Sequence, residues 1–548
     1  MARKGSSLES EFCKKDAEMR KQYQSTVIRL VLPTVLFGAI TGVLTAALVV
    51  FYKYCAKHVI ALSEHGYAFL GENPIWIPVV LAAFLGIACL FAEIYRRVPN
   101  MRGGGIPTSI GILRGIIPMK WLRNMLGIFV MSLTGFLIGV PLGNEGPSVQ
   151  MGTAMGRGSV FLLTRKHRAW DRYAMTSGAC AGFSVATGAP ISGILFAVEE
   201  AHQRISPIIL IMATSSVMFA EVTNQLLSPL LGVPTELFEL SNLPTLPVRE
   251  LWIPLVIGLI MGLFAVLFLR YYRLLRTFYN KVLKRVPHWI KIFFVFALTL
   301  ALGLCSYSFI STGHHLMLSL FDLSATPAIW MLLLILVVRA TLTLSANTNK
   351  ITGGIFLPLL ALGTLLAASI GKGIESLFGL GQDYYTVLLL LGITACIAGM
   401  MKMPLTAIIF SVEALSGYGN IISVIVVASV AFIITEIFSA HSINDIVLDT
   451  RIDELHEGKK EREIDTYVTV RPESFAIGKQ IRDIFWPNNL FVLAVRRDDR
   501  QRDHPKAHGG KELREGDILH VHCTTFDRAQ TMRELEAIVG TQEKKKFH

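Results

Sequence analysis

The sequence predicts an all-α polytopic membrane protein built of two related halves and followed by a small α/β domain. Three observations predict it: a charge deficit over most of the chain, a pair of matching Gly/Pro-rich segments, and an abrupt change of composition after Thr450. The 548 residues are 52% hydrophobic and 17% charged, with a mean hydropathy of +0.51. Soluble chains carry roughly 25% charged residues. Leu32–Tyr52, Trp76–Ala92, Met125–Leu142, Leu251–Leu269 and Ala328–Val338 are almost free of charge. A helix needs roughly 20 apolar residues to cross hydrocarbon, where no water satisfies its backbone. Several segments qualify, and others are too short.

The net charge of +12 lies beside the apolar runs. Arg3, Lys4, Lys14, Lys15, Arg20 and Lys21 precede the first one, and Arg96, Arg97, Arg165, Lys166, Arg168 and Arg172 flank later ones. Such placement follows membrane topology, with positive residues on the cytoplasmic side, and argues against nucleic acid. Residues 1–25 therefore read as a cytoplasmic segment, with no cleavable signal peptide. Seven cysteines are scattered singly, and none forms a C-x-x-C pair. They read as small core residues, not as a disulfide framework or metal site. No H-E-x-x-H, P-loop or plausible Ser/His pair supports catalysis, so neither an enzyme nor a cofactor is expected.

Pro190-Ile-Ser-Gly-Ile-Leu-Phe-Ala-Val-Glu199 matches Pro404-Leu-Thr-Ala-Ile-Ile-Phe-Ser-Val-Glu413. Upstream, Gly143, Pro147 and Gly152 share their spacing with Gly354, Pro358 and Gly363, and Gly178 and Gly392 fall on the same interval as the first match. Ordered matches at nearly one interval indicate an internal duplication. Duplicated membrane halves place their site at the repeat interface, with broken helices aimed at it. Gly followed by Pro at a first helical turn leaves free N–H groups at an end carrying roughly half a positive charge. Several such ends converging would hold an anion without a lysine or arginine.

The candidate ends are Gly103-Gly-Gly-Ile-Pro107, Gly143-Asn-Glu-Gly-Pro147 and Gly354-Ile-Phe-Leu-Pro358. In order and spacing they resemble the GxGIP, G(R/K)EGP and GxFxP motifs of the chloride channel/transporter (CLC) superfamily. The resemblance covers residues 26–450, in two antiparallel halves of about 26–230 and 250–450. It implies a homodimer with one pore per subunit, and exchange of chloride or another small anion for protons. It makes Glu145 the external gate, whose side chain occupies an anion position until protonated, and Glu200 the internal proton glutamate. The bland alternatives are that Glu145 complements its helix dipole and that Glu200 pairs with Arg204 at a solvated helix end. Glu199 and Glu413 read as structural. Gly104, Gly105, Ile106, Asn144, Gly146, Ile355, Phe356 and Asn444 fall on the anion-binding positions.

Three positions depart from the family pattern. Gly104 stands where chloride-selective members often have serine, Asn144 replaces the basic residue of the second motif, and Asn444 falls near the anion-coordinating tyrosine. Asn144 resembles the fluoride-exporting branch, which typically lacks the glutamate kept here as Glu200. Lost hydroxyl donors weaken discrimination among anions. A passive anion channel and a fluoride/proton antiporter are the rivals on the same fold, and a transport-dead sensor is the rival from another class.

Residues 451–464 read as a charged linker. Beyond it, Tyr467–Val470, Phe491–Arg496 and Ile518–Cys523 look like strands, Gly478–Ile484 like a helix, and Thr525–Val539 like a closing amphipathic helix. Roughly 75 residues can bury a small α/β core. The module, 465–541, resembles the TrkA-C (RCK-C) domain, most specifically in Leu513-Arg-Glu-Gly-Asp-Ile-Leu-His520. That resemblance implies a dimeric cytoplasmic domain binding a regulatory ligand, a cyclic dinucleotide in some relatives, with Asn488, Asn489 and Phe491 as contacts. A purely structural appendage is the alternative. Nothing resembles the CBS pair of many eukaryotic relatives, so a bacterial plasma membrane with both termini cytoplasmic is expected.

Overall fold

The computed structural model describes residues 31–541 apart from positions 104, 164–167, 204–205, 239–242, 379–380, 457–459, 473 and 498–506. The first half runs α1 (Leu32–Glu72), α2 (Ile77–Arg97), α3 (Ile106–Leu113), α4 (Trp121–Ile138), α5 (Glu145–Leu163), α6 (Asp171–Thr187), α7 (Pro190–Phe196) and α8 (Pro207–Leu231). The second runs α9 (Trp252–Lys281), α10 (His288–Cys305), α11 (His314–Leu320), α12 (Ile329–Thr348), α13 (Phe356–Phe378), α14 (Gln382–Cys396), α15 (Pro404–Ala414) and α16 (Ile421–Ile437), with α17 (Ile443–His456) closing it. Among the described residues, ten segments are long and apolar enough to cross a membrane. The helices α3, α7, α11 and α15 are too short to do so, and they recur in pairs across the two halves.

Proline opens α7, α8 and α15 at their first turns, where its missing N–H costs nothing. Left-handed glycines end α4, α6 and α8. Where helices cannot be driven together by water, close backbone approach does the work. A Cβ on Gly152 would overlap the carbonyl of Gly178, and one on Gly178 would overlap that of Gly152. The repeat-related Gly363 and Gly392 meet in the same way, each within 2.9 Å of the other's carbonyl oxygen if given a Cβ. The matched glycines are thus the contact between α5 and α6 and between α13 and α14.

The C-terminal module has an antiparallel sheet in the order β1-β3-β2, from β1 (Arg462–Thr469), β2 (Leu490–Arg496) and β3 (Ile518–Thr525). The closing helix α18 (Arg528–Val539) packs Leu535, Ile538 and Val539 on Val468, Leu519 and Val521. Asp527 caps it by accepting from the Gln530 amide. Two expectations are corrected. Gly478–Ile484 forms only a single turn, Ile481–Asp483, because its amides bond elsewhere. Those of Gly478, Ile481 and Arg482 donate to the carbonyls of Leu513, Lys511 and Gly509. The charged stretch 451–464 is not a free linker either: α17 continues to His456 and β1 begins at Arg462. Its charges are used, since buried Arg451 donates to the Pro99 carbonyl (3.3 Å) and Glu454 pairs with Lys350 and Arg102.

The module docks on the membrane domain through residues 475–486. Phe485 packs its ring, tilted, against Tyr173 (4.4 Å between rings) and His202 (4.5 Å). The Tyr173 hydroxyl donates to the Asp483 carbonyl at 2.6 Å, and Arg172 Nη1 donates to that of Trp486 at 2.6 Å. Lys479 lies 3.8 Å from the Phe475 ring centre, and burial there pulls its ammonium down to about 8.

Candidate functional site

The three Gly-rich motifs meet at the centre of the membrane domain. Gly143 and Gly354 exchange backbone hydrogen bonds, Gly143 N to Gly354 O at 2.7 Å and Gly354 N to Gly143 O at 2.8 Å. This bridge ties the start of α5 to the start of α13. The third motif joins through Gly105, which holds φ +57 before α3 and lies so close to Gly146 that a Cβ would overlap its carbonyl. A Cβ on Gly354 would in turn stand 2.7 Å from the Gly146 amide nitrogen. The N-termini of α3, α5 and α13 therefore converge, with Ile106, Gly146, Ile355 and Phe356 all buried. The first amides of each helix have no intrahelical acceptor, so the convergence concentrates donors and positive partial charge. Asn144 is half-buried at this point, and Gly104 lies outside the described residues.

Glu145 is fully buried in the first turn of α5. Its carboxylate sits over the glycine bridge, since a Cβ on Gly143 would meet Glu145 Oε2 on one side and Leu357 Cβ (3.0 Å) on the other. Neither oxygen makes a hydrogen bond of good geometry to the described residues. Sequence reasoning missed Lys53, a buried ammonium on α1 that donates to the carbonyls of Val185 (3.1 Å) and Pro234 (2.8 Å). A lysine directly after the uncharged run Leu32–Tyr52 of α1 was the available signal. Also unread were the phenyl rings packed around Phe356 at the α13 end: Phe356 meets Phe183 (5.3 Å) and Phe410 (5.4 Å) edge-on, and Phe183 stacks on Phe196 (5.8 Å). Phe196 and Phe410 are repeat partners.

Glu200 lies apart from that centre. It sits in a π-helical turn, Ala197–Ala201, an irregularity common at functional sites. It is 4% exposed, and its Oε1 accepts from Asn444 Nδ2 at 3.0 Å. Asn444 is thus brought to Glu200. Arg114 fixes the turn by donating to the carbonyls of Glu200 and Ala201, both at 3.0 Å. Arg204 lies outside the described residues. His202, two positions on, carries the ring contact to Phe485 of the C-terminal module. Asn488, Asn489 and Phe491 are exposed together where β2 begins, and Asn489 holds φ +55.

The paired glutamates Glu199 and Glu413 have reciprocal partners. Glu199 accepts from the amides of Leu405 (2.9 Å) and Thr406 (2.7 Å) at the start of α15. Glu413 accepts from those of Ile191 (2.7 Å) and Ser192 (2.9 Å) at the start of α7. Each half caps a helix of the other. Glu413→Ala is expected to cost about 1–2 kcal/mol, the worth of a charged cap, read as a lower Tm of the detergent-solubilised protein. Glu199→Ala should cost as much; a silent partner would break the symmetry.

A family model described as "Voltage gated chloride channel" matches residues 89–436. An H(+)/Cl(-) exchange transporter ClcA from Citrobacter koseri is 27% identical over 436 residues, covering 78% of this chain and 89% of that protein. The corresponding protein of Klebsiella pneumoniae subsp. pneumoniae is 27% identical over 380 residues, covering 68% and 79%. Among solved structures, a slow cyanobacterial Cl-/H+ antiporter superposes with a TM-score of 0.69 at 23% identity, over 77% of this chain and 98% of that one. A CLC-type fluoride/proton antiporter superposes with a TM-score of 0.60 at 21% identity, over 74% and 96%.

Proposed function

Because this chain belongs to the voltage gated chloride channel family, we propose that it exchanges a small anion, chloride foremost, for protons across a membrane. The observation that carries this reading is the placement of two buried carboxylates. Glu145 lies where three helix N-termini converge, and Glu200 is buried elsewhere in the same domain on Asn444. A charged carboxylate and an anion compete for the same backbone donors. Protonation of Glu145 releases the donors to the anion, and its return expels the anion and delivers the proton. Glu200 is the second proton station, on the side where the C-terminal module docks. That side is cytoplasmic in this reading, as are both termini, and two such subunits form a homodimer. Residues 465–541 form a regulatory module whose ligand surface includes Asn488, Asn489 and Phe491.

The anion-binding set is Gly104, Gly105, Ile106, Asn144, Gly146, Ile355 and Phe356, through backbone amides. Asn444 serves it indirectly, by positioning Glu200. Fluoride is the second anion to try, because Asn144 replaces the basic residue of its motif and a fluoride/proton antiporter shares the fold. In proteoliposomes, an outward chloride gradient of about 100-fold stores about 2.7 kcal/mol per ion and is expected to draw protons inward against their own gradient. Chloride loss without proton movement would mean a passive channel, and no chloride movement would turn the test to fluoride.

A further inference from the structure

We propose that the cleft between the membrane domain and α18 is a binding site for one anionic phospholipid, its phosphate on Lys120 and Arg123 and its acyl chain against α4. Two adjoining cavities make the site. The first, about 470 Å³, is walled by the ends of α2 and α4 on one side and by α18, through Gln530 and Arg533, on the other. The second is an apolar groove of about 370 Å³ on the flank of α2 and α4, walled by Ile94, Leu126, Val130 and Met131. Arg97, Val98 and Arg123 belong to both. The charged cleft therefore opens directly into a channel along two membrane-crossing helices. Leu126 and Val130 are 55% and 60% exposed, as hydrocarbon contacts would be.

The chemistry of the cleft favours a phosphate. Its acidic residues are engaged: Asp171 pairs with Arg157 at 3.6 Å, and Glu534 Oε1 accepts from Gln530 at 3.0 Å. Arg97 is held by Glu93 at 2.6 Å. Lys120 and Arg123, by contrast, have no hydrogen bond or ion pair from their side chains among the described residues, so their charges are available. Asn124 supplies the observation that a surface charge cluster would not. It is 1% exposed and lines the cleft, yet its Nδ2 has no hydrogen-bond acceptor. A buried amide donor left unpaired is costly, and a phosphate oxygen would satisfy it. The start of α4, whose first amides have no side chain capping them, lies at Lys120 on the wall of the same cleft. A soluble phosphate would use this polar end alone. The apolar groove continuing from Arg123 commits the site to a ligand with a tail, and basic residues at a helix end in the interface are where anionic headgroups bind. The headgroup would then touch Gln530 and Arg533, so the lipid would bridge the two domains.

The test is native mass spectrometry of the detergent-purified full chain, offered equal amounts of phosphatidylglycerol and phosphatidylcholine with identical acyl chains. Retention of phosphatidylglycerol is expected to exceed that of phosphatidylcholine by about 30-fold, the scale of two interfacial basic contacts. Lys120→Ala with Arg123→Ala should bring the ratio to about one. Leu126→Asp, on the exposed wall of the groove, should lower retention of both lipids. All three substituted positions are solvent- or lipid-facing, and unchanged gel-filtration profiles would verify folding. Equal retention of the two lipids by the wild type would overturn the proposal. So would displacement of bound lipid by equimolar glycerol 3-phosphate, which would assign the cleft to a soluble phosphate.

Discussion

Glu145→Gln is expected to abolish proton movement while chloride still runs down its gradient. Glutamine keeps the shape of the protonated side chain but cannot carry a proton through the cycle. Proton flux should fall by about 100-fold or more, the scale of removing a positioned proton-transfer group. The site makes the effect large because, among the described residues of the three Gly-rich motifs, no second acidic side chain can substitute. Glu145 is the acidic residue of the helix-end cluster, fully buried, and Lys53 is already committed to two carbonyls. Chloride flux in wild type should also depend on pH and become flat in the variant, since the competing carboxylate is gone. Paired ion-electrode recordings from proteoliposomes measure both. An unchanged proton-to-chloride ratio would leave Glu145 as a helix-dipole partner and nothing more.

Glu200→Gln should also remove proton movement, yet leave anion passage near its wild-type rate. The substitution is chosen to keep the structural contact, because a glutamine carbonyl can accept from Asn444 Nδ2 as the carboxylate does at 3.0 Å. A residue that only held the π-helical turn in place would tolerate the change. Arg114 holds that turn through backbone carbonyls, so its grip is independent of the side chain. Proton flux is expected to drop by about 100-fold here as well, with the Tm unchanged. Full retention of coupling would show Glu200 to be structural and direct the search for the inner proton path elsewhere.

The Gly/Pro motifs were legible because each residue carries a backbone requirement that local sequence expresses. Gly105 needs a positive φ, Gly152 and Gly178 need a bare backbone contact, and Pro190 and Pro404 mark first turns. The repeat exposed the antiparallel capping partners, Glu199 and Glu413, as matched positions, although their actual targets lie in the opposite half. Contacts between distant elements were not legible. Nothing local ties Tyr173 to Phe485 or Lys53 to Pro234, since apolar periodicity in a buried helix is the same on every side. The C-terminal strands followed their alternation closely. The expected helix at Gly478–Ile484 failed because its amides found acceptors across the chain, which no propensity anticipates. The linker expectation failed for the related reason that charged residues can be tertiary contacts as readily as solvent-facing ones.

The crossed glutamate caps also set a schedule for biogenesis. Glu413 lies 222 residues after Ile191, whose amide it accepts from. At 5–20 residues per second, the ribosome adds that length in on the order of 10–40 s. Throughout that interval the start of α7 is in place without its carboxylate partner. The first half therefore leaves the ribosome unfinished and is completed only as the second half is made. A nascent chain that stalls before α15 would keep that helix end open, the Ile191 and Ser192 amides lacking the carboxylate that accepts from them.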